Sequence, residues 1–389
     1  MTWIPSRKDF DNYQEKILED IVTDSKESWW LQGYPGTGKT MLLIHLIAEY
    51  IDAGWDCAFV TFTHALKKLA IEAMKELGHK PGQLHIETVD KMNVLKKKYD
   101  IIFVDEVQDL RVDQISELRG LADRFVYAGD LNQSIYLHAA PSAKIRKALG
   151  RPTIRELTDL YRMPEPVFMA ANIIYSEATI KKGAQVTTSI TSYINLVAAD
   201  TVASEVAWVY QQAKSESRNQ MPSAILFGKH QDLQKFVDTL LDELGEKPAP
   251  KVIGRDYDPL NEHLKKLKMP MMYYGGAQGG DLANASSSKK ILLMTMHSAK
   301  GLEFGSVFTP FMNQDGSLCP YPSLKNKEIW QRRCLFMAIT RTKLNFYASY
   351  SKTLNEYLIP LTPEEVSITL RNNDQEALIK YFKHFHVES

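Results

Sequence analysis

The segment GYPGTGKT at residues 33–40 constrains this chain more than any other. Closely spaced glycines let successive backbone N–H groups point into one concavity of phosphate size, and the Lys39 ammonium adds a positive charge there. Thr40 supplies a hydroxyl suited to Mg²⁺, and the helix that starts at this point turns its positive dipole end toward the same place. The loop works only between a buried strand and a helix. SWWLQ precedes it and TMLLIHLIAEYI continues from it, so the setting is the required one. A nucleotide site is therefore expected at Gly33, Tyr34, Pro35, Gly36, Thr37, Gly38, Lys39 and Thr40, on an α/β fold.

IIFVDEVQD at 101–109 supplies the second half of such a site. The apolar strand delivers Asp105 at its carboxyl end, where a carboxylate holds Mg²⁺ directly or through water. Glu106 beside it can orient and deprotonate an attacking water. An acidic pair of this kind favours hydrolysis over transfer of the phosphoryl group to a substrate. Gln108 follows the pair, and AGDLNQSIY (128–136) follows another apolar strand. A Gln at such a strand end can hydrogen-bond a γ-phosphate or its water.

Short apolar runs alternate with amphipathic stretches along the whole chain. CAFVTF (57–62), IIFVD (101–105) and RFVYAGD (124–130) read as buried parallel strands, as do SAILFG (223–228), ILLMTM (291–296), SVFTPF (306–311) and NFYASY (345–350). Helical patterns lie around 165–177, 201–215, 230–243 and 325–341. The second half repeats the architecture of the first without its phosphate loop. The fold class is α/β, with two doubly wound parallel-sheet domains over residues 1–156 and 157–389. The tail RNNDQEALIKYFKHFHVES reads as a helix, and the stretches 246–259 and 275–290 read as loops from their Gly, Pro and Ser content. The lysine run 96–98 reads as a solvated edge.

Forty-seven basic and 47 acidic residues balance, so a nucleic acid could be held only by a local patch. Three cysteines (Cys57, Cys319, Cys334) with no CxxC spacing fit a reducing compartment. No signal peptide and no apolar run of membrane length is recognised, and a cytoplasmic location is expected.

VDEVQD and GDLNQSIY together resemble motifs II and III of the UvrD/Rep-like superfamily 1 DNA helicases. The other family motifs follow in order. YQEKIL around Gln14 is similar to the Q motif, TFTHAL (61–66) to motif Ia and LTDLYRMPEPV (157–167) to motif IV. MTMHSAKGLEF (294–304) is very close to motif V, and RRCLFMAITRTK (332–343) resembles motif VI. The resemblance covers residues 10 to 350 or so. It implies two RecA-like domains with an ATP site in the cleft between them, and ATP and Mg²⁺ as cofactors. It further implies that Gln14 reads the adenine edge, Tyr161 stacks on its ring and Glu303 touches the ribose. Gln133, Arg162 and Arg341 would reach the γ-phosphate, Arg341 as an arginine finger. For a single DNA strand it implies contacts from Thr63, His64, Tyr136 and His297, with movement 3′→5′. Contacts to phosphates and base faces do not read the sugar, so RNA is an alternative strand.

The sequence departs from the family at several points. His138 stands where a Trp is usual, Met41 where an Arg is common, and Leu160 where an Asn precedes Tyr-Arg. Only a short segment joins the motif Ia helix to the motif II strand, and a Gly/Ser loop stands before motif V, where family members commonly insert whole domains. The chain reads as a nearly bare motor. Two functions follow: a translocating helicase, or an ATP-driven switch or accessory subunit acting with a partner such as a nuclease.

Overall fold

In the computed structural model of the chain, residues 5–24, 27–80, 82–89, 91, 97–131, 134, 142–176, 185–254, 256–274, 289–315, 318, 327–370 and 376–388 are described. The chain divides into two compact units, Met1–Tyr161 with Ile180–Thr187, and Arg162–Thr179 with Thr188–Ser389.

The first unit is built on six parallel strands. They are β1 (Trp29–Gly33), β2 (Cys57–Thr61), β3 (His85–Thr88), β4 (Ile101–Val104), β5 (Phe125–Ala128) and β6 (Thr153–Leu157), in the order β3-β2-β4-β5-β1-β6. The alternation of side chains along each strand explains why these segments read as unbroken apolar runs. Trp29, Leu31, Phe59, Phe103 and Val126 join one core, while Trp30, Val60, Ile102, Val104 and Tyr127 join another. Successive residues of a strand point to opposite faces, so both faces must be covered. Helices α1 (Asn12–Thr23), α2 (Lys39–Asp52) and α3 (His64–Glu76) supply Ile17, Leu42, Leu46 and Ala70 to the first core. Helices α4 (Val112–Arg119) and α5 (Ser142–Leu149) supply Ile115, Leu118 and Ile145 to the second. A short parallel pair, β7 (Asp159–Leu160) with β8 (Gln185–Val186), completes this unit.

Seven parallel strands form the second unit. These are β9 (Ile194–Ala199), β10 (Ala224–Phe227), β11 (Met271–Tyr273), β12 (Ile291–Thr295), β13 (Val307–Thr309), β14 (Phe346–Tyr350) and β15 (Phe382–Val387), in the order β11-β12-β10-β13-β14-β9-β15. Helices α6 (Glu165–Ile174), α7 (Val202–Glu216), α8 (His230–Glu243), α9 (Asp258–Lys266) and α10 (Lys327–Ile339) accompany them. Phe227, Phe236, Leu293 and Phe308 are fully buried at its centre. Both units are parallel doubly wound sheets of the RecA-like kind, and all seven strands anticipated in the sequence are present.

The tail differs from expectation. Among its described residues only Glu376–Tyr381 winds, as a 3₁₀ turn, and Phe382–Val387 is the edge strand β15, paired in parallel with β9 from Phe382↔Ile194 to Val387↔Ala199. Aromatic and β-branched residues in FKHFHV fit a pleated surface better than a helix, and the exposed edge of β9 supplies the ladder. The stretch 246–259 gives up its last two residues to α9. Residues 275–288, expected as a loop, lie outside the described residues. Of the lysine run, Lys97 is exposed and paired with Asp56 at 2.6 Å. Cys57 and Cys334 are buried free thiols. Among the described residues no helix is long and apolar enough to cross a membrane.

Candidate nucleotide site

Three neighbouring strands of the first sheet, β4, β5 and β1, end at the same edge and set the site. Gly33 closes β1 where an added Cβ would lie 2.9 Å from the Leu157 carbonyl oxygen and 2.7 Å from Thr37 Oγ1, so no larger residue fits. Gly38 starts α2 with φ of 86°, a left-handed conformation that costs glycine little. The turn between them folds tightly, with the buried Thr37 hydroxyl donating to the Tyr34 carbonyl at 2.9 Å. Lys39 Nζ lies in the resulting cradle, donating to the carbonyls of Gly33 at 2.6 Å and Tyr34 at 2.7 Å. Pro35 is buried in the same turn and Gly36 has φ of 83°.

From β4, which β5 separates from β1, Asp105 meets this loop. Its Oδ2 accepts from the Thr40 hydroxyl at 2.7 Å and its Oδ1 from the Glu106 N–H at 2.9 Å. Burial, and then the charge of Glu106, push the Asp105 carboxyl up to about 7, against the Thr40 hydroxyl and the Lys39 ammonium. One carboxylate and one hydroxyl, both oxygen donors, fit Mg²⁺, which is commonly held by one or two carboxylates together with substrate phosphates. Among the described residues no larger His/Cys/Asp/Glu group suits a metal.

The raised value has a consequence for stability. The ordinary Asp value is about 3.9, so the folded carboxyl takes its proton more readily than the unfolded one. Stability is fully retained below pH ~4 and is lost as pH rises toward about 7. Asp105→Asn, which keeps an oxygen for the Glu106 N–H, is expected to stabilise the protein by about 1–3 kcal/mol at pH 8 without nucleotide or Mg²⁺, and to give no gain at pH 4. Urea unfolding at the two pH values checks this. An unchanged midpoint at pH 8 would show that Asp105 carries no such penalty.

Glu106 follows with φ of 54° and ψ of 44°, a left-handed conformation unusual for a residue with a Cβ. Such backbone outliers concentrate at functional sites. The Gln108 amide fixes its carboxylate, with Nε2 donating to Glu106 Oε2 and Oε1 accepting from the Asp130 N–H at 3.1 Å. The sequence suggested a phosphate contact for Gln108, whereas here it joins the ends of β4 and β5.

On the other side of the loop lies Gln14, 95% buried on α1; a Cβ on Gly38 would be 3.0 Å from its Nε2. Asp11 caps that helix, accepting from the Tyr13 and Gln14 N–H groups at 2.7 Å each, and its other oxygen takes the Tyr161 hydroxyl. The Tyr161 N–H donates to the Gly36 carbonyl at 3.2 Å. The residues expected at the adenine thus gather beside the loop. Asp11, the residue that joins them, was not singled out in the sequence.

Arg162, Glu303 and Arg341 are brought together in the second unit. Arg162 Nη1 and Lys343 Nζ each lie 3.1 Å from Glu303 Oε2. Burial works to raise the Glu303 carboxyl, but Lys343, Arg162 and Arg341 outweigh it and hold it far below the usual range. Arg341 is buried and its guanidinium donates to the carbonyls of Met337 at 3.3 Å and Leu302 at 3.4 Å. Lys343 was not anticipated, although it stands two residues beyond Arg341.

Of the expected strand contacts, Thr63 caps α3, its hydroxyl oxygen accepting from the Leu66 N–H at 3.2 Å, and His64 is the first residue of that helix. His297 in the second unit lies against Trp330, ring centroids 5.5 Å apart. Met41 is buried in the first core and Leu160 is fully buried on β7. Gln133, Tyr136 and His138 lie outside the described residues.

A phosphate loop after β1, an acidic pair after β4 and a parallel doubly wound sheet define a P-loop nucleotide-binding protein of the RecA-like class. The profile of the UvrD-like helicase C-terminal domain matches residues 72–353, which is most of the chain, and the chain belongs to the UvrD-like helicase family. A second profile, Type III restriction enzyme, res subunit, matches residues 7–128. A probable DNA helicase of Mycoplasma pneumoniae is 27% identical over 67% of this chain and 45% of its own length. The ATP-dependent DNA helicase Rep of Buchnera aphidicola is 37% identical over 19% of this chain and 11% of its own length. A probable DNA helicase II homolog of Mycoplasma capricolum is 31% identical over 32% of this chain and 16% of its own length. The chain thus spans less than half the length of each of these relatives. The arterivirus nonstructural protein 10 helicase is a more distant likeness, 16% identical over 87% of this chain and 61% of that one, with a TM-score of 0.42.

Proposed function

We propose that the chain hydrolyses Mg-ATP and couples hydrolysis to 3′→5′ movement on single-stranded DNA. The observation that carries this reading is the Thr40–Asp105–Glu106 arrangement against the phosphate loop, in a chain of the UvrD-like helicase family. Gln14 and Tyr161 hold the adenine, the loop N–H groups and Lys39 hold the phosphates, and Thr40 and Asp105 hold Mg²⁺. Bound there, Mg²⁺ would supply charge neutralisation to the phosphates. Glu106 takes the proton of the attacking water. Gln133, Arg162 and Arg341 meet the γ-phosphate, so hydrolysis depends on residues of both halves, taken as 1–156 and 157–389. Thr63, His64, Tyr136, His138 and His297 contact the strand, and a cytoplasmic setting suits this work.

A second reading is favoured by one observation: between α3 and β4 the described residues hold a single strand, β3. A motor this spare would step along a strand and leave duplex separation, or cutting, to a partner. Steady-state ATP hydrolysis by the full chain, with and without a single-stranded DNA oligonucleotide and with Lys39→Ala as the blank, tests both. Stimulation by DNA that fades with salt is expected. A slow rate indifferent to DNA, yet abolished in Lys39→Ala, would sink the free-standing motor and favour the partner-gated switch.

A further inference from the structure

Glu303 has two cationic partners on one oxygen, and only one of them is expected to work on phosphate. Arg162 Nη1 and Lys343 Nζ both reach Oε2 at 3.1 Å, and all three side chains remain between one fifth and one third exposed. Lys343 is placed independently of this contact. Its own N–H donates to the carbonyls of Phe304 at 3.0 Å and Gly305 at 3.3 Å, and the Phe304 N–H donates to the Arg341 carbonyl at 2.9 Å. These bonds hold the Lys343 main chain against the segment that follows Glu303, within side-chain reach of its carboxylate, whether or not the ion pair forms.

We propose that Lys343 is a positioning residue for hydrolysis: it keeps Glu303 paired when Arg162 leaves for the γ-phosphate. This rests on the reading above that Arg162 meets that phosphate. Were Arg162 the sole partner, its departure would strand a part-buried carboxylate, and breaking such a pair from one side is strongly unfavourable. With Lys343 on the same oxygen, Arg162 exchanges one anion for another while Glu303 keeps a cation. Lys343 is also the strongest of the charges that hold the Glu303 carboxyl low, ahead of Arg162. The carboxylate thus leans more on the residue that stays than on the one that moves.

The test is steady-state ATP hydrolysis by the full chain, with kcat and KM separated. Lys343→Met should lower kcat about tenfold with KM for ATP changed less than about threefold, because Arg162 becomes trapped on Glu303. Lys343→Arg should restore most of the rate. Adding Glu303→Gln to Lys343→Met should raise kcat several-fold, since the trap is gone; a merely structural lysine would not be rescued by removing its opposite charge. A kcat for Lys343→Met within twofold of the parent, or a double variant no faster than Lys343→Met, would overturn the proposal. Should the parent hydrolyse no ATP, the functional reading fails, and the sharing itself is decided by ¹³C NMR of the Glu303 carboxyl. In Arg162→Ala it should stay ionised well into acid, and lose that only when Lys343→Met is added. An ordinary titration in Arg162→Ala alone would overturn the shared pair.

Discussion

Replacing Arg341 by Ala is expected to slow ATP hydrolysis by about 10³ or more, since an arginine finger contributes roughly 10³ to 10⁵ in phosphoryl-transfer enzymes. The guanidinium is buried and held by main-chain carbonyls of Met337 and Leu302, so its direction is fixed before any nucleotide arrives. A donor ordered in advance needs little rearrangement to stabilise a transition state in the role proposed for it. Arg341→Lys keeps the charge and loses the planar fork, and should recover only part of the rate. Binding of a fluorescent ATP analogue should change little in either variant. Single-turnover hydrolysis is the measurement, and near-normal turnover in Arg341→Ala would remove this residue from the chemistry.

The second large effect is expected at Glu106. Glu106→Gln keeps the size of the side chain and an oxygen for the Gln108 amide, so the backbone turn should persist. It removes the carboxylate proposed above to take a proton from water, and loss of a general base lowers rates by about 10² to 10⁴. ATP should still bind and, in the presence of DNA, remain uncleaved. A variant that folds, binds ATP and hydrolyses it within tenfold of the parent would show that another group is the base. Together with Asp105→Asn, this variant separates the two roles proposed for adjacent carboxylates, one holding the ion and one handling the proton.

Much of this site was legible because its parts lie in short contiguous loops. A phosphate loop must bring its own glycines and lysine, and Asp105 and Glu106 follow directly on the strand that delivers them. The strands were legible where both faces are buried, as in IIFV and ILLMT, because nothing interrupts the apolar run. Legibility failed where partners are distant. Arg162 and Glu303 are 141 residues apart, and nothing local foretells that Lys343 shares their contact. Asp11 was hidden for the same reason, since its link to Tyr161 spans 150 residues. The tail was misread because six residues mixing aromatic with polar, with phenylalanines three apart, are short enough to suit either a helix end or a strand. The ladder offered by β9 decides it, and that ladder is tertiary.

The Gln108 side chain acts as a tie rod between the ends of two strands, β4 and β5. One end of its amide only donates and the other only accepts, so it fits the gap between the Glu106 carboxylate and the Asp130 N–H in a single sense. A rod of fixed length and polarity leaves little play. A single side chain therefore ties the Glu106 carboxylate, at the end of β4, to the main chain of Asp130, which follows β5.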